Sequence, residues 1–223
     1  MSEGDGRPAN RGAVAATYDR IADHFARTRV SAWPEVEQFL SDRPPVETAL
    51  DVGCGNGRHA ELLASLAGRV VCLDASRGVL STAMTRCRDA PAPVAYVQGD
   101  AAALPLADDA AGLAVYVATI HHLPDRDLRV RSLDELARVL APGGRALVSA
   151  WSTTHDRFDA DPDATEGFDT TVDWTLPGGE TVGRYYHIYA PAEFEADLAA
   201  SRLAVVEAFV SSGNCYAVVG PPG

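Results

Sequence analysis

The segment Thr48-Ala49-Leu50-Asp51-Val52-Gly53-Cys54-Gly55-Asn56-Gly57 is an apolar strand pattern running straight into a glycine loop. A helical pattern, RHAELLASLAG, follows it and is closed by Gly68. Downstream, VVCLD reads as a strand, SRGVLSTAMTRCR as a helix, and VAYVQ and LAVYVAT as strands. DLRVRSLDELARVL is an amphipathic helix with Leu128, Leu133, Leu136 and Leu140 on or near one face. Ala141-Pro142-Gly143-Gly144 then turns into the strand RALVSAW. Upstream, VAATYDRIADHFARTR has helical spacing, and Trp33-Pro34 opens a short helix through about Leu40. Short strands alternating with helices predict an α/β fold, a parallel sheet covered on both faces.

Residues 152–183 interrupt the alternation. They are rich in Asp, Thr, Gly and Pro, with Trp174 as their main large apolar side chain, and they read as a long substrate-side insertion. After them come the strand RYYHIYA, the helix PAEFEADLAAS and two strands at about 204–210 and 215–219 joined as a hairpin. Residues 1–12 read as a flexible tail, and 13–223 as a single domain.

Composition narrows the classes. The 223 residues are 47% hydrophobic, enough for one sizeable core. No apolar run approaches the roughly 20 residues that cross a bilayer, and the polar, Gly-rich start is no signal peptide. All 19 basic residues are Arg, against 31 acids, for a net charge of −12. The absence of Lys and the excess of Asp point to a halophilic protein, whose partners are poorly predicted by net charge because screening length falls to roughly 3 Å at 1 M salt. Cys54, Cys72, Cys87 and Cys215 have no metal-ligand spacing, so no metal is expected and a reducing cytoplasm is the natural compartment.

The loop and its acids define a cofactor. Glycines at the carboxyl end of a strand let backbone approach a ligand. Asp74 ends the next strand, 21 residues after Gly53, where a carboxylate can accept both hydroxyls of a ribose. Gly99-Asp100 lies beyond the third strand, placed for an acceptor facing an adenine amino group. Nicotinamide enzymes also carry a glycine loop, but Asp51, two residues before its first Gly, would repel a pyrophosphate. It suits an ammonium, or the water around one. S-adenosylmethionine has that ammonium and no phosphate.

These features resemble the class I S-adenosylmethionine-dependent methyltransferases, which implies a Rossmann-like, mostly parallel seven-stranded sheet. Tyr18-Asp19-Arg20-Ile21-Ala22, His24-Phe25, Thr28-Arg29 and Trp33-Pro34 are similar to the opening of the tRNA wobble-uridine carboxymethyl methyltransferases. So are Ile120-His121-His122-Leu123, Trp151, Asp173-Trp174, Arg184-Tyr185-Tyr186-His187 and Gly213-Asn214-Cys215. Arg58-His59 departs from that family, which usually has Lys with an aromatic there. The residues expected to hold cofactor are Tyr18, Asp51, Gly53, Gly55, Asn56, Gly57, Asp74, Ala75, Ser76, Asp100, Ala101 and Val117.

A carboxylate nucleophile is ionised at neutral pH and needs cations to hold it rather than a base, and Arg has the matching fork. By resemblance Arg29 and Arg184 take that role, while His121 and His122 face the substrate, one of them packing and the other orienting substrate or accepting a proton. The resemblance implies a tRNA substrate and a heterodimer with a small zinc-ribbon methyltransferase activator, pairing at the uncharged strand of about residues 94–97. A small-molecule methyltransferase and a non-catalytic cofactor-binding subunit are the alternatives.

Overall fold

Strand β1 (Val46–Val52) runs up the middle of a seven-stranded sheet, parallel to β2 (Ala67–Asp74) on one side and to β4 (Ala111–Val117) on the other. The computed structural model describes residues 10–161 and 163–223. Strand order is β3-β2-β1-β4-β5-β9-β8, where β3 is Val94–Gln98 and β5 is Leu140–Trp151. The first five strands are parallel; β9 (Asn214–Gly220) pairs antiparallel with β5, and β8 (Ala204–Ser211) antiparallel with β9. Both sheet faces are buried, so neighbouring residues of one strand feed opposite cores. Leu50 and Val52 join Tyr116, Leu136 and Phe194; Ala49 joins Leu63, Cys72 and Val115. The chain reverses its direction across the sheet between β1 and β4, and a crevice opens at that point beyond the strands' carboxyl ends.

Six α-helices occur among the described residues: α1 (Arg11–Thr28), α2 (Pro34–Ser41), α3 (Ala60–Leu63), α4 (Arg77–Arg86), α5 (Arg126–Val139) and α6 (Pro191–Ala200). The side chain of Asn10 accepts the Ala13 N–H at 2.8 Å and so starts α1 at Arg11, inside the stretch expected to be tail. Residues 1–9 of that expected tail lie outside the described residues. Helix α1 packs on α4, and Gly78 permits the approach, since a Cβ there would stand 3.1 Å from both Ala22 Cβ and the Asp19 carbonyl oxygen. The Asp19 carboxylate then caps α4, accepting from the Gly78 N–H and the Ser76 hydroxyl at 2.7 Å each.

Two expectations are corrected. The helix after the glycine loop is only Ala60–Leu63, because the Val46 N–H donates to the Leu66 carbonyl at 2.8 Å and pulls Ala67 and Gly68 into β2. The insertion at 152–183, read without secondary structure of its own, contains a strand, β6 (Phe168–Thr175), paired antiparallel with β7 (Thr181–Ile188) in a separate two-stranded sheet. Trp174 and Val182 of that hairpin bury against Ile21 of α1, which is the packing gain that orders a segment of such polar composition.

Candidate active site

A cavity of about 430 Å³ occupies the crevice between the carboxyl ends of β1, β2, β3 and β4, with α1 as its outer wall. Its floor is the glycine loop. Gly53 has φ +68°, and a Cβ on it would sit 2.2 Å from the Thr119 side chain, so only glycine lets the loop lie under that residue. Asn56 locks the loop to the end of α1 by donating to the Ala26 and Arg29 carbonyls at 3.1 and 2.9 Å.

Asp74 is held at the end of β2 by two backbone donors, Gly55 N–H at 3.0 Å and Ser76 N–H at 2.9 Å, one to each oxygen. Burial still dominates and pushes its carboxyl up to about 6. Lone pairs not used by those N–H groups remain for hydroxyl donors from a ligand. Asp100 accepts the Ala102 N–H at 2.9 Å and pairs with Arg11 of α1. Leu73, Ala101, Val117 and Leu123 give the cavity an apolar lining.

Ten of the twelve residues expected to bind cofactor line this cavity: Tyr18, Gly53, Gly55, Asn56, Asp74, Ala75, Ser76, Asp100, Ala101 and Val117. The other two do not. Asp51 is 1% exposed beneath the loop, its Oδ2 has no hydrogen-bond partner, and burial followed by repulsion from Asp74 raises it to about 7. Gly57, at φ +78°, packs against Ala83 and Cys87. Arg11, Phe25, Thr119 and His59 also line the cavity and were not expected there. Arg11 was hidden by the tail-like composition around it. Thr119 follows Ala118 at φ +53°, a conformation that no residue type in VAT announces.

The four expected substrate-side residues separate into three roles. His121 is buried and its Nδ1 accepts the Trp151 N–H at 3.0 Å, so it braces the end of β5 and does not reach the cavity. Its neighbour on the same short 3-10 turn, His122, packs beside it with ring centroids 4.5 Å apart, and it is the one of the two that lines the cavity. Arg184 on β7 is 5% exposed, and its guanidinium carbon lies 4.7 Å from the Trp174 ring centroid. Arg29, just past α1, lies over the same indole at 5.2 Å and over Phe25 at 5.6 Å. Trp174 itself is oriented by its indole N–H donating to His24 Nδ1 at 3.1 Å. Phe25 joins the two regions, lining the cavity on one side and carrying Arg29 on the other.

The chain is similar to known methyltransferases. A family model described as a methyltransferase domain matches residues 50–148. The tRNA (carboxymethyluridine(34)-5-O)-methyltransferase of Arabidopsis thaliana is 33% identical over 143 residues, 64% of this chain and 33% of that protein. The chain thus spans about a third of the length of that relative. A "putative methyltransferase" of Encephalitozoon cuniculi is 34% identical over 176 residues, 77% of this chain and 78% of that protein. The "putative methyltransferase" solved in complex with the Haloferax volcanii Trm112 methyltransferase activator shares the fold at a TM-score of 0.68 and 17% identity, covering 94% of this chain and 98% of that one.

The cavity suits S-adenosylmethionine on its own chemistry. Asp74, and Asp51 beneath the loop, favour a cationic ligand over a phosphate, Asp100 being already paired with Arg11, and the unpartnered Asp51 oxygen marks a buried polar group lacking a donor. With a strand order and loop of this kind, a matching methyltransferase domain and a relative covered over most of its length, the chain belongs to the class I S-adenosylmethionine-dependent methyltransferases.

Proposed function

We propose that this protein methylates the carboxylate of a carboxymethyl group on the wobble uridine of tRNA. The observation that carries the reading is the pair Arg29 and Arg184, two guanidinium groups over one indole with no carboxylate within 4 Å of either among the described residues. Elsewhere in this protein buried cations are paired: Arg129 reaches Glu193 at 3.3 Å and Asp197 at 3.6 Å. A cation as buried as Arg184, with no carboxylate beside it among the described residues, is completed by an anion from outside the chain.

S-adenosylmethionine would supply a methyl group on a positively charged sulfur, and an O–CH3 bond formed by a carboxylate as the CH3–S bond breaks would leave an ester and a neutral thioether with no proton released. The chain's own contribution is to hold the carboxylate through Arg29 and Arg184, keep water out behind Phe25 and Trp174, and fix the approach of the two reactants. The named activity of the Arabidopsis relative supports the same substrate.

A zinc-ribbon activator protein is the partner we infer, forming a cytoplasmic heterodimer. Strand β3 is the outermost strand on its side of the sheet, pairs only with β2 among the described residues, and carries no charge. The fold is shared with a chain solved in complex with a methyltransferase activator, which supports a partner of that kind. The opposite edge, β8, exposes Val205, Val206 and Val210 but is interrupted by Glu207, a charge of the kind that discourages pairing.

The test is methyl transfer into total tRNA from a strain lacking this protein, followed by nucleoside mass spectrometry. The expected product is the methyl ester of carboxymethyluridine. Label entering another nucleoside, or a small-molecule extract in place of tRNA, would overturn the assignment.

A further inference from the structure

A chain of hydrogen bonds runs from Arg184 to the cofactor cavity, and each proton in it can be placed. Arg184 Nη1 donates to the Tyr186 hydroxyl at 2.7 Å, since a guanidinium has no acceptor. At the other end, His122 Nδ1 lies 2.8 Å from the Tyr185 carbonyl oxygen, which can only accept, so Nδ1 carries a hydrogen. Burial, reinforced by the Arg184 charge, pushes His122 down to about 4, against the hydrogen bond to Tyr185, and the ring is neutral at physiological pH. Its Nε2 is therefore bare. The Tyr18 hydroxyl, 2.9 Å away, must point its proton there. Tyr18 Oη then receives the Tyr186 hydroxyl at 3.4 Å, the longest link of the chain.

We propose that His122 is a positioning residue and not the base of the reaction: its Nε2 accepts the hydrogen bond of the Tyr18 hydroxyl, so that Arg184, Tyr186, Tyr18 and His122 form one directional donor chain. The consequence lies at Tyr18, which lines the cavity. With its proton committed to His122, its oxygen has only acceptor capacity left to offer a ligand. An acceptor-only oxygen attracts the polarised C–H groups of a sulfonium and never donates to an incoming nucleophile. The chain also links the two halves of the site. An anion settling on Arg184 alters the donor seen by Tyr186, and through it the polarity of the Tyr18 oxygen. The alternative assignment, His122 as a general base, requires a free Nε2 facing substrate, and Tyr18 already occupies that nitrogen.

The inference rests on S-adenosylmethionine as cofactor, and only its Arg184 end depends on the carboxylate reading. The experiment is nitrogen-15 NMR of the histidine-labelled protein from about pH 5.5 to 8.5, with His122→Gln used to assign the resonances. The expected result is a neutral His122 ring with hydrogen on Nδ1 throughout. Tyr18→Phe should shift the bare Nε2 resonance downfield as it loses its donor, and Tyr186→Phe should move it less in the same direction. Calorimetry with S-adenosylhomocysteine keeps the variants honest as folded proteins: Tyr186→Phe should bind within about twofold of wild type. Hydrogen on Nε2, a His122 midpoint between about 6 and 7.5, or an Nε2 resonance indifferent to Tyr18→Phe would overturn the proposal. These readouts do not use tRNA, so failure of the tRNA assignment would leave them interpretable.

Discussion

Asp51 and Asp74, at the ends of neighbouring parallel strands, repel each other across the base of the glycine loop. Both carboxyls are raised, Asp51 to about 7 and Asp74 to about 6, from an unperturbed value of 3.8. Each therefore binds more protons in the folded chain than in the unfolded one. Their contribution to stability is largest below about pH 4 and is lost as pH rises through 6 and 7. Two consequences are measurable in the ligand-free protein and its cofactor complex.

The first is a pH dependence of stability. Urea midpoints of Asp51→Asn should exceed wild type near pH 8, where wild type buries a charge, and converge with it near pH 4. Parallel curves for the two proteins would mean that the Asp51 carboxyl is solvated.

The second is cofactor affinity. Asp74→Ala should cost about 1–3 kcal/mol in binding S-adenosylhomocysteine, by loss of ribose acceptors and because the Gly55 and Ser76 N–H groups lose theirs. Calorimetry showing unchanged affinity would remove Asp74 from the site.

Arg184 tests the substrate side. Arg184→Lys retains the charge but not the planar fork over Trp174, and turnover should fall at least about tenfold while cofactor affinity stays within about twofold. Arg184→Ala should fall further and also melt earlier, since the stacking on Trp174 and the bond to Tyr186 are both lost. Equal losses of cofactor binding and turnover in the Lys variant would assign Arg184 to folding alone.

The sheet edge makes a separate prediction. Ala95 is exposed on β3, whereas Val97 packs on the core, so Ala95→Glu should leave the melting temperature nearly unchanged. Co-purification with the activator should drop sharply. An active, monodisperse protein obtained without any partner would remove the heterodimer.

Much of this architecture was legible in the chain because its causes are local. The continuous apolar runs of β1 and β4, the helical spacing of α1 and α5, and the Ser-Gly turn before β9, with both residues at positive φ, follow from short-range pattern. The extent of α3 was not legible, since pairing of Val46 with Leu66 overrides a helical composition. Nor was the β6–β7 hairpin, whose order comes from Trp174 meeting Ile21 of α1 rather than from its own sequence.

By itself the sequence determined the glycine loop, the strand-end acids Asp74 and Asp100, and the presence of Arg29 and Arg184, because these are properties of residue type and spacing along one chain. The tertiary structure alone decided which acid faces the cavity, leaving Asp51 buried under the loop while Asp74 lines it. It also separated two adjacent histidines, turning His121 to the Trp151 backbone and His122 to Tyr18. The reason is tertiary: the two rings lie 4.5 Å apart on one short turn, and which of them meets the ligand depends on the hydrogen-bond partners that distant elements, here β5, β7 and α1, bring up against each.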